Sequence, residues 1–411
     1  MKFPKKHLLT FLILLGMLAG VAIGEWVFVY SSTEFATSFA QNVKLLTTIF
    51  LRLIQMILAP LVLSTLIVGI AKMGDIKAVG RVGGKSMLWF FSASLVSLFL
   101  GLILVNLFEP GVGIKLNNVD TQTASELVQS THGFSIEQFI QHVFPKSIIQ
   151  SMAENEILQI VVFSIIFGLA MTSMGEKAKP LIHALDVVGH ISLKMVTYIM
   201  WVAPLGVFGG VAAIVSKKGL GVLKIYGTYI GSFYTGLAVL WIVLLLAGFL
   251  ILGKRLKELL KRIQQPLIIA FSTTSSESVF PKLTEELERF GNKPAIVNFV
   301  LPLGYSFNLD GSMMYMTFAS IFIAQAYDIP LDLGTQITML FVLMLTSKGI
   351  AGVPRASLVV VTATCAMFNI PPEGIALILP IDHFCDMGRS MTNVLGNALA
   401  TSAVNKWETK S

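Results

Sequence analysis

Charge is what this chain of 411 residues has least of: Asp, Glu, Lys and Arg together make up 13%, about half the share usual in a soluble domain. Disorder needs the opposite composition, and a 55% hydrophobic content excludes it. Cysteine is nearly missing too. Cys365 and Cys385 cannot make a disulfide framework, and 20 residues apart in apolar surroundings they lack the look of a metal site. An intramembrane hydrolase would need paired aspartates or a His-Glu-x-x-His run, and the six histidines (7, 132, 142, 183, 190 and 383) form no such pattern. Neither an enzyme nor a cofactor is implied. The balance of 30 − 23 = +7 would suggest nucleic acid in a soluble protein. Here the charges lie between long apolar runs, where they set orientation in a membrane.

What is present is a series of such runs, near 8–28, 43–71, 86–108, 157–173, 184–215, 221–252, 293–325 and 375–404. The first continues to about 20 residues, enough to span a bilayer, and counting it the runs make eight. The first follows Lys2, Lys5 and Lys6 and runs beyond the length of a signal peptide, so it is read as an uncleaved span. Residues 29–41 hold no Lys or Arg and belong outside. Residues 72–85, with Lys72, Lys77, Arg81 and Lys85, belong inside, as do Lys177, Lys179 and the cluster at 254–262. Lys217 and Lys218 alone break the pattern. Both termini are therefore expected in the cytoplasm, in a multi-pass protein of the bacterial cytoplasmic (inner) membrane. The polar stretch 110–156 is expected outside, and Pro204 is expected to break the fifth run.

The second half differs. Between the sixth and seventh runs lies an apolar segment with a polar centre, STTSSES at 272–278. Between the seventh and eighth lies another, TSKGIAGVPRAS at 346–357, whose apolar arms of about 12 residues are too short to cross. Irregular backbone at membrane depth survives only against protein or a water-filled cavity. The pattern of a re-entrant hairpin followed by a helix thus occurs twice, at 263–325 and 332–404. Duplication with broken segments points to a secondary transporter with a mid-membrane site.

The eighth run carries the chemistry. Asp382, Asp386, Arg389, Asn393 and Asn397 fall within an arc of roughly 80° on a helix. An ionised group at the bilayer centre costs at least about 2.5 kcal/mol, so this face must meet a partner or a cavity. In the seventh run, GYSFNLDGS at 304–312 sets Gly304 and Gly311 around Asn308 and Asp310, a pattern that can unwind a helix. The serine tip places hydroxyls and backbone N–H groups at a helix start, suited to an anion. Glu277 within it is either a proton-titrating group or a solvated turn residue. Arg389 offers a fork for a carboxylate, and Asp386 one turn away offers a partner for an ammonium. A ligand with both is an acidic amino acid. A channel is the competing reading, and concentrative uptake separates the two.

With these residues in place, the chain resembles the dicarboxylate/amino acid:cation symporter family, the glutamate/aspartate transporters, and most of all the bacterial proton/glutamate symporters. The resemblance runs along essentially the whole chain. Its motifs are SSES at 275–278, NLDGS at 308–312, GIAGVP at 349–354 and DMGRSMTN at 386–393. It implies an all-α polytopic membrane protein of eight transmembrane helices and two re-entrant helical hairpins, with inverted repeats, working as an elevator in a homotrimer. Residues 1–83 and 111–220 would form a scaffold. Residues 84–110 and 221–411 would form the transport unit, with hairpin 1 near 255–291, span 7 near 293–325, hairpin 2 near 332–370 as outer gate, and span 8 near 375–405.

Carried over by position, Arg389 would grip the substrate's side-chain carboxylate and Asp386 its amino group. Asn393 and the backbone at Ser276 would hold the α-carboxylate, with Thr274 and Ser275 beside it in the substrate-binding tip, Ser312 near the side-chain carboxylate and Val353 as the gate contact. The C4-dicarboxylate branch typically has Ser in place of Asp386, so Asp386 favours glutamate or aspartate. The cation site of sodium-coupled relatives would fall on Gly304, Asn308, Asp310, Asn393 and Asn397. Here it is depleted of oxygens, with Asn397 in place of an Asp, Leu309 in place of a Met, Ile350 in place of a Thr, and Phe90 and Ala93 in place of a Tyr and a Thr. Hard cations need several such oxygens. The losses argue for protons as the coupling ion, with sodium the alternative. Met316 replaces the usual proton-carrying Glu of animal relatives, which leaves Glu277, Asp310 and Asp382 as candidates. Animal and archaeal relatives also keep an arginine near the amino-binding Asp; here Arg355 is the candidate partner of Asp386.

Overall fold

The computed structural model describes residues 5–73, 76–112, 140, 143–221, 226–347 and 356–409. Among them every regular element is helical. In chain order these are α1 (Lys5–Tyr30), α2 (Thr33–Met73), α3 (Ile76–Phe108), α4 (Ile148–Glu154), α5 (Ile157–Met174), α6 (Lys179–Ile199) and α7 (Ala203–Lys218). There follow α8 (Gly227–Leu252), α9 (Arg255–Thr273), α10 (Phe280–Arg289), α11 (Pro294–Phe307), α12 (Asp310–Ala326), α13 (Leu333–Thr346), α14 (Ala356–Met367) and α15 (Asp382–Thr409). Stretches long and apolar enough to cross a bilayer lie at Phe11–Tyr30, Thr33–Lys72, Lys77–Phe108, Ile157–Lys218 and Gly227–Leu252. Their outward faces carry bare aliphatic side chains: Leu18, Leu107, Ile242 and Leu250 are all largely exposed. In water such faces would aggregate, and in lipid they are solvated.

α1, α2, α5, α6 and α7 pack on one another. Pro204 does what the sequence predicts: α6 ends at Ile199, a tight turn takes Met200–Val202, and α7 restarts with the proline in its first turn. α1 crosses α7 at very short range. Gly16, Gly20 and Gly24 lie against the backbone carbonyls of Pro204, Phe208 and Ala212, where any Cβ would collide. Four-residue spacing puts all three on one stripe.

The second half is built around α15, which packs on α8, α9, α11 and α12 and is buried along most of its length. Where the first hairpin is expected, near 255–291, the structure has the helix pair α9 and α10. Its feet are tied by Arg255, which donates to the Phe290 carbonyl at 2.6 Å and lies over the Phe290 ring. The second is formed by α13 and α14, about 21 and 18 Å long at 1.5 Å per residue, short of a 30 Å core. Asp332 caps α13 by accepting from the Thr335 amide. The eighth span differs from the expectation at its start. Residues 372–377 form a 3-10 turn and α-helix begins only at Asp382, because Pro371, Pro372 and Pro380 cannot supply helical amide donors.

At the far end of α15, Glu408 accepts from Arg81 at 2.9 Å and from Lys85 at 2.6 Å, tying the last helix to α3. The Arg81 hydrogen bond, with Lys85 behind it, holds the Glu408 carboxyl below the usual glutamate range.

Candidate functional site

The seventh run is broken where its polar residues fall. α11 ends at Phe307, Asn308 and Leu309 leave helical geometry, and α12 restarts at Asp310. The two glycines are not in the break. They lie within the helices and allow close approach: a Cβ on Gly311 would strike the Arg389 carbonyl, and one on Gly304 would strike the Asn397 side chain. Breaking a helix leaves the amides of its second half without partners. Leu309 offers α12 no side-chain cap. Asn393 of α15 supplies it, its Oδ1 accepting from the Gly311 amide at 2.8 Å and the Ser312 amide at 3.2 Å.

The predicted polar face of α15 is real, and each member meets the broken helix or a charge partner. Asp382 accepts from the Tyr315 hydroxyl at 2.6 Å. Asp386 takes both Nε and Nη2 of Arg389. The remaining guanidinium nitrogen, Nη1, donates to Ser312 Oγ at 3.0 Å and to Ser357 Oγ at 2.9 Å. Asn393 Nδ2 donates to the same Ser312 Oγ at 3.0 Å. Asn397 Oδ1 accepts from Asn308 Nδ2 at 3.2 Å, and Asn308 Nδ2 also reaches Asp310 Oδ2 at 3.3 Å.

Asn308, Asp310, Ser312, Asn393 and Asn397 are all buried. Among the described residues Asn308 Oδ1 and Asn397 Nδ2 have no hydrogen-bond partner. An orphaned buried amide oxygen beside a carboxylate is a cation ligand in waiting. The shell around it is thin. The Phe90 ring edge lies 3.6 Å from where a Gly304 Cβ would stand, an aromatic edge with no oxygen to give. The residues fit part of a hard-cation shell; Asn308, Asp310 and the Gly304 backbone would hold such an ion.

The serine tip is organised around itself. Thr274 adopts a left-handed conformation (φ 54°) that ends α9. Ser275 Oγ accepts from the Ser278 amide at 3.2 Å, and Thr273 and Ser278 share a hydrogen bond between hydroxyls at 3.1 Å. The Ser276 carbonyl accepts from the Val279 amide. The structure therefore places Thr274, Ser275 and Ser276 in a folded turn held by its own hydrogen bonds. Glu277 is half-buried there and feels the charges of Arg389 and Glu156. Val353 and Arg355 lie outside the described residues, and with them the expected contact of Arg355 with Asp386.

Two participants escape the sequence reading. Ser357 closes the shell around Arg389, and its only sequence signal is its place at the end of the polar centre 346–357. Tyr315 holds Asp382, and nothing in a buried helix marks one tyrosine above another.

The model of the sodium:dicarboxylate symporter family matches residues 9–407. Among curated proteins, a "C4-dicarboxylate transport protein" of Geobacter sp. (strain M21) is 43% identical over 368 residues, 87% of this chain and 83% of that protein. A "Proton/sodium-glutamate symport protein" of Geobacillus stearothermophilus is 38% identical over 405 residues, 97% of this chain and 94% of that protein. One of the same description from Bacillus subtilis (strain 168) is 38% identical over 399 residues, 96% and 92%.

Proposed function

Because this chain belongs to the sodium:dicarboxylate symporter family, and so is an integral membrane transport protein rather than an enzyme, we propose that it imports glutamate and aspartate in symport with protons. The carrying observation is the pair Asp386 and Arg389, opposite charges one helical turn apart in a half-buried setting lined by Ser312 and Ser357. A guanidinium edge matches a carboxylate and a lone carboxylate matches an ammonium, so an acidic amino acid satisfies both. Each ionic group left unmatched in such a site is costly. The α-carboxylate goes to Asn393 and the backbone at Ser276.

Coupling to protons is supported by the thin cation shell: Asn397 is neutral and Phe90 brings no oxygen. Asp310, Asp382 and Glu277 are the acids able to carry the proton. Asp382 accepts its hydrogen bond from the Tyr315 hydroxyl, so taking up a proton there requires that bond to reverse or break. Movement is proposed as an elevator, residues 84–110 and 221–411 travelling against 1–83 and 111–220, within a homotrimer of the bacterial cytoplasmic membrane with both termini inside.

A second reading, C4-dicarboxylate symport, draws support from the 43% identity to the Geobacter protein. Against it stands Asp386, which a dicarboxylate leaves without a cation. The test uses purified protein in liposomes with labelled glutamate outside, under an inward proton or sodium gradient at clamped voltage. Proton-driven, sodium-free accumulation is expected. A strict sodium requirement would mean that Asp310 and backbone carbonyls suffice for a sodium site. Uptake of succinate in place of glutamate would overturn the substrate reading.

A further inference from the structure

The Arg389 guanidinium is held from two sides by elements far apart in sequence. One hydroxyl comes from Ser312 in the first turn of α12, itself anchored by Asn393. The other comes from Ser357 in the first turn of α14, the second arm of hairpin 2. Ser357 is buried, with 8% of its surface exposed. Both accept from the same nitrogen, Nη1, whose two N–H bonds are thereby used. The plane of the guanidinium is fixed by this, and the edge made of Nε and Nη2 is the one turned to Asp386, where a substrate carboxylate would be exchanged.

We propose that Ser357 is a positioning residue for carboxylate recognition: its hydroxyl seats Nη1 of Arg389 so that the Nε–Nη2 edge is presented to the substrate. This rests on the reading of Arg389 as the carboxylate grip, whichever acid is carried. An arginine side chain has four rotatable bonds, and freezing them is a cost of binding unless the protein has already met it. Once a substrate carboxylate has exchanged with Asp386 at the Nε–Nη2 edge, Ser312 alone restrains one N–H of Nη1 and leaves the group able to turn about that bond. The second hydroxyl removes this freedom. Because it stands on α14, while Ser312 stands on α12, the seat is complete only when the hairpin arm is packed on α12 as it is here. Each serine, while accepting from Arg389, also keeps its own O–H to donate.

The experiment measures binding and uptake of glutamate and of succinate by the full-length protein in liposomes, for wild type, Ser357→Ala, Ser357→Thr and Ser312→Ala. Ser357→Ala is expected to raise KM about tenfold, equivalent to about 1.4 kcal/mol, with the maximal rate within about twofold. Ser357→Thr keeps the hydroxyl and is expected to restore KM. Ser312→Ala, which cuts the seat from the other side, is expected to give a rise of similar size. A wild-type KM in Ser357→Ala overturns the proposal. So does a loss that Ser357→Thr fails to restore, or a fall in maximal rate at unchanged KM, since either marks packing rather than seating. If wild type takes succinate and refuses glutamate, the substrate reading fails while Ser357 is still judged on the succinate KM. A wild type that binds neither acid overturns both.

Discussion

Replacing Asp386 with Asn keeps the shape of the side chain and removes its charge, and the structure says what should follow. Asp386 and Arg389 are each about one-fifth exposed and paired to each other. A substrate carboxylate that takes the Nε–Nη2 edge must displace Asp386. Glutamate compensates by bringing an ammonium; succinate does not. Removing the partner from a buried ion pair costs about 3–5 kcal/mol, and partial exposure puts this pair at the lower end. At about 1.4 kcal/mol per tenfold, that is a roughly hundredfold handicap for succinate. Asp386→Asn lifts it. Glutamate meanwhile loses a charge-assisted hydrogen bond of about 1.5–3 kcal/mol, or about ten- to a hundredfold in affinity. The glutamate-to-succinate preference should therefore change by about a thousandfold or more. The assay is competition by each unlabelled acid against uptake of the other in liposomes, with Asp386→Ser as a second variant. Glutamate affinity falling while succinate affinity stays fixed would refute the internal competition. An unchanged glutamate affinity would refute the ammonium contact.

Four further outcomes are expected. Asn397→Asp sets a second carboxylate beside Asn308 and Asp310, so glutamate uptake should acquire a sodium dependence, read from KM at stepped sodium concentrations. Gly396→Ala places a methyl group where the Asp310 carboxylate lies; transport should fall at least about tenfold, while overpacking of about 1–3 kcal/mol leaves a folded protein on size exclusion. Tyr315→Phe removes the 2.6 Å donor to Asp382 and should shift the pH profile of uptake; an unmoved profile would remove Asp382 from the proton path. The Glu408 carboxyl is held below its ordinary range by Arg81 and Lys85, so its tie to α3 contributes fully above the unfolded-chain value near 4.3 and is lost as pH falls through the lower folded value. Melting temperature should drop below about pH 4 more in wild type than in Glu408→Gln.

The stripe on α15 was legible because a polar face in an apolar helix has no other explanation than an inward partner, and period 3.6 assigns that face without a structure. The break at Asn308 was legible as a break. Its cause is not: the glycines show only local flexibility, and a cap supplied by Asn393 from 82 positions away leaves no mark in the sequence. The late start of α15 followed from prolines whose effect competes with an apolar run. The Ser357 contact depends on how α14 approaches α12, which no residue pattern within either helix encodes.

On the α1 side the meeting with α7 is made of main chain: Gly16, Gly20 and Gly24 bring no side chain, and they lie against the carbonyls of Pro204, Phe208 and Ala212 and the Cβ atoms of Phe208, Val211 and Val215. Sliding such a joint would drive the residues flanking each glycine into the α7 backbone, so the close approach favours α1 and α7 moving together, and a larger residue at any of the three glycines would push the two helices apart.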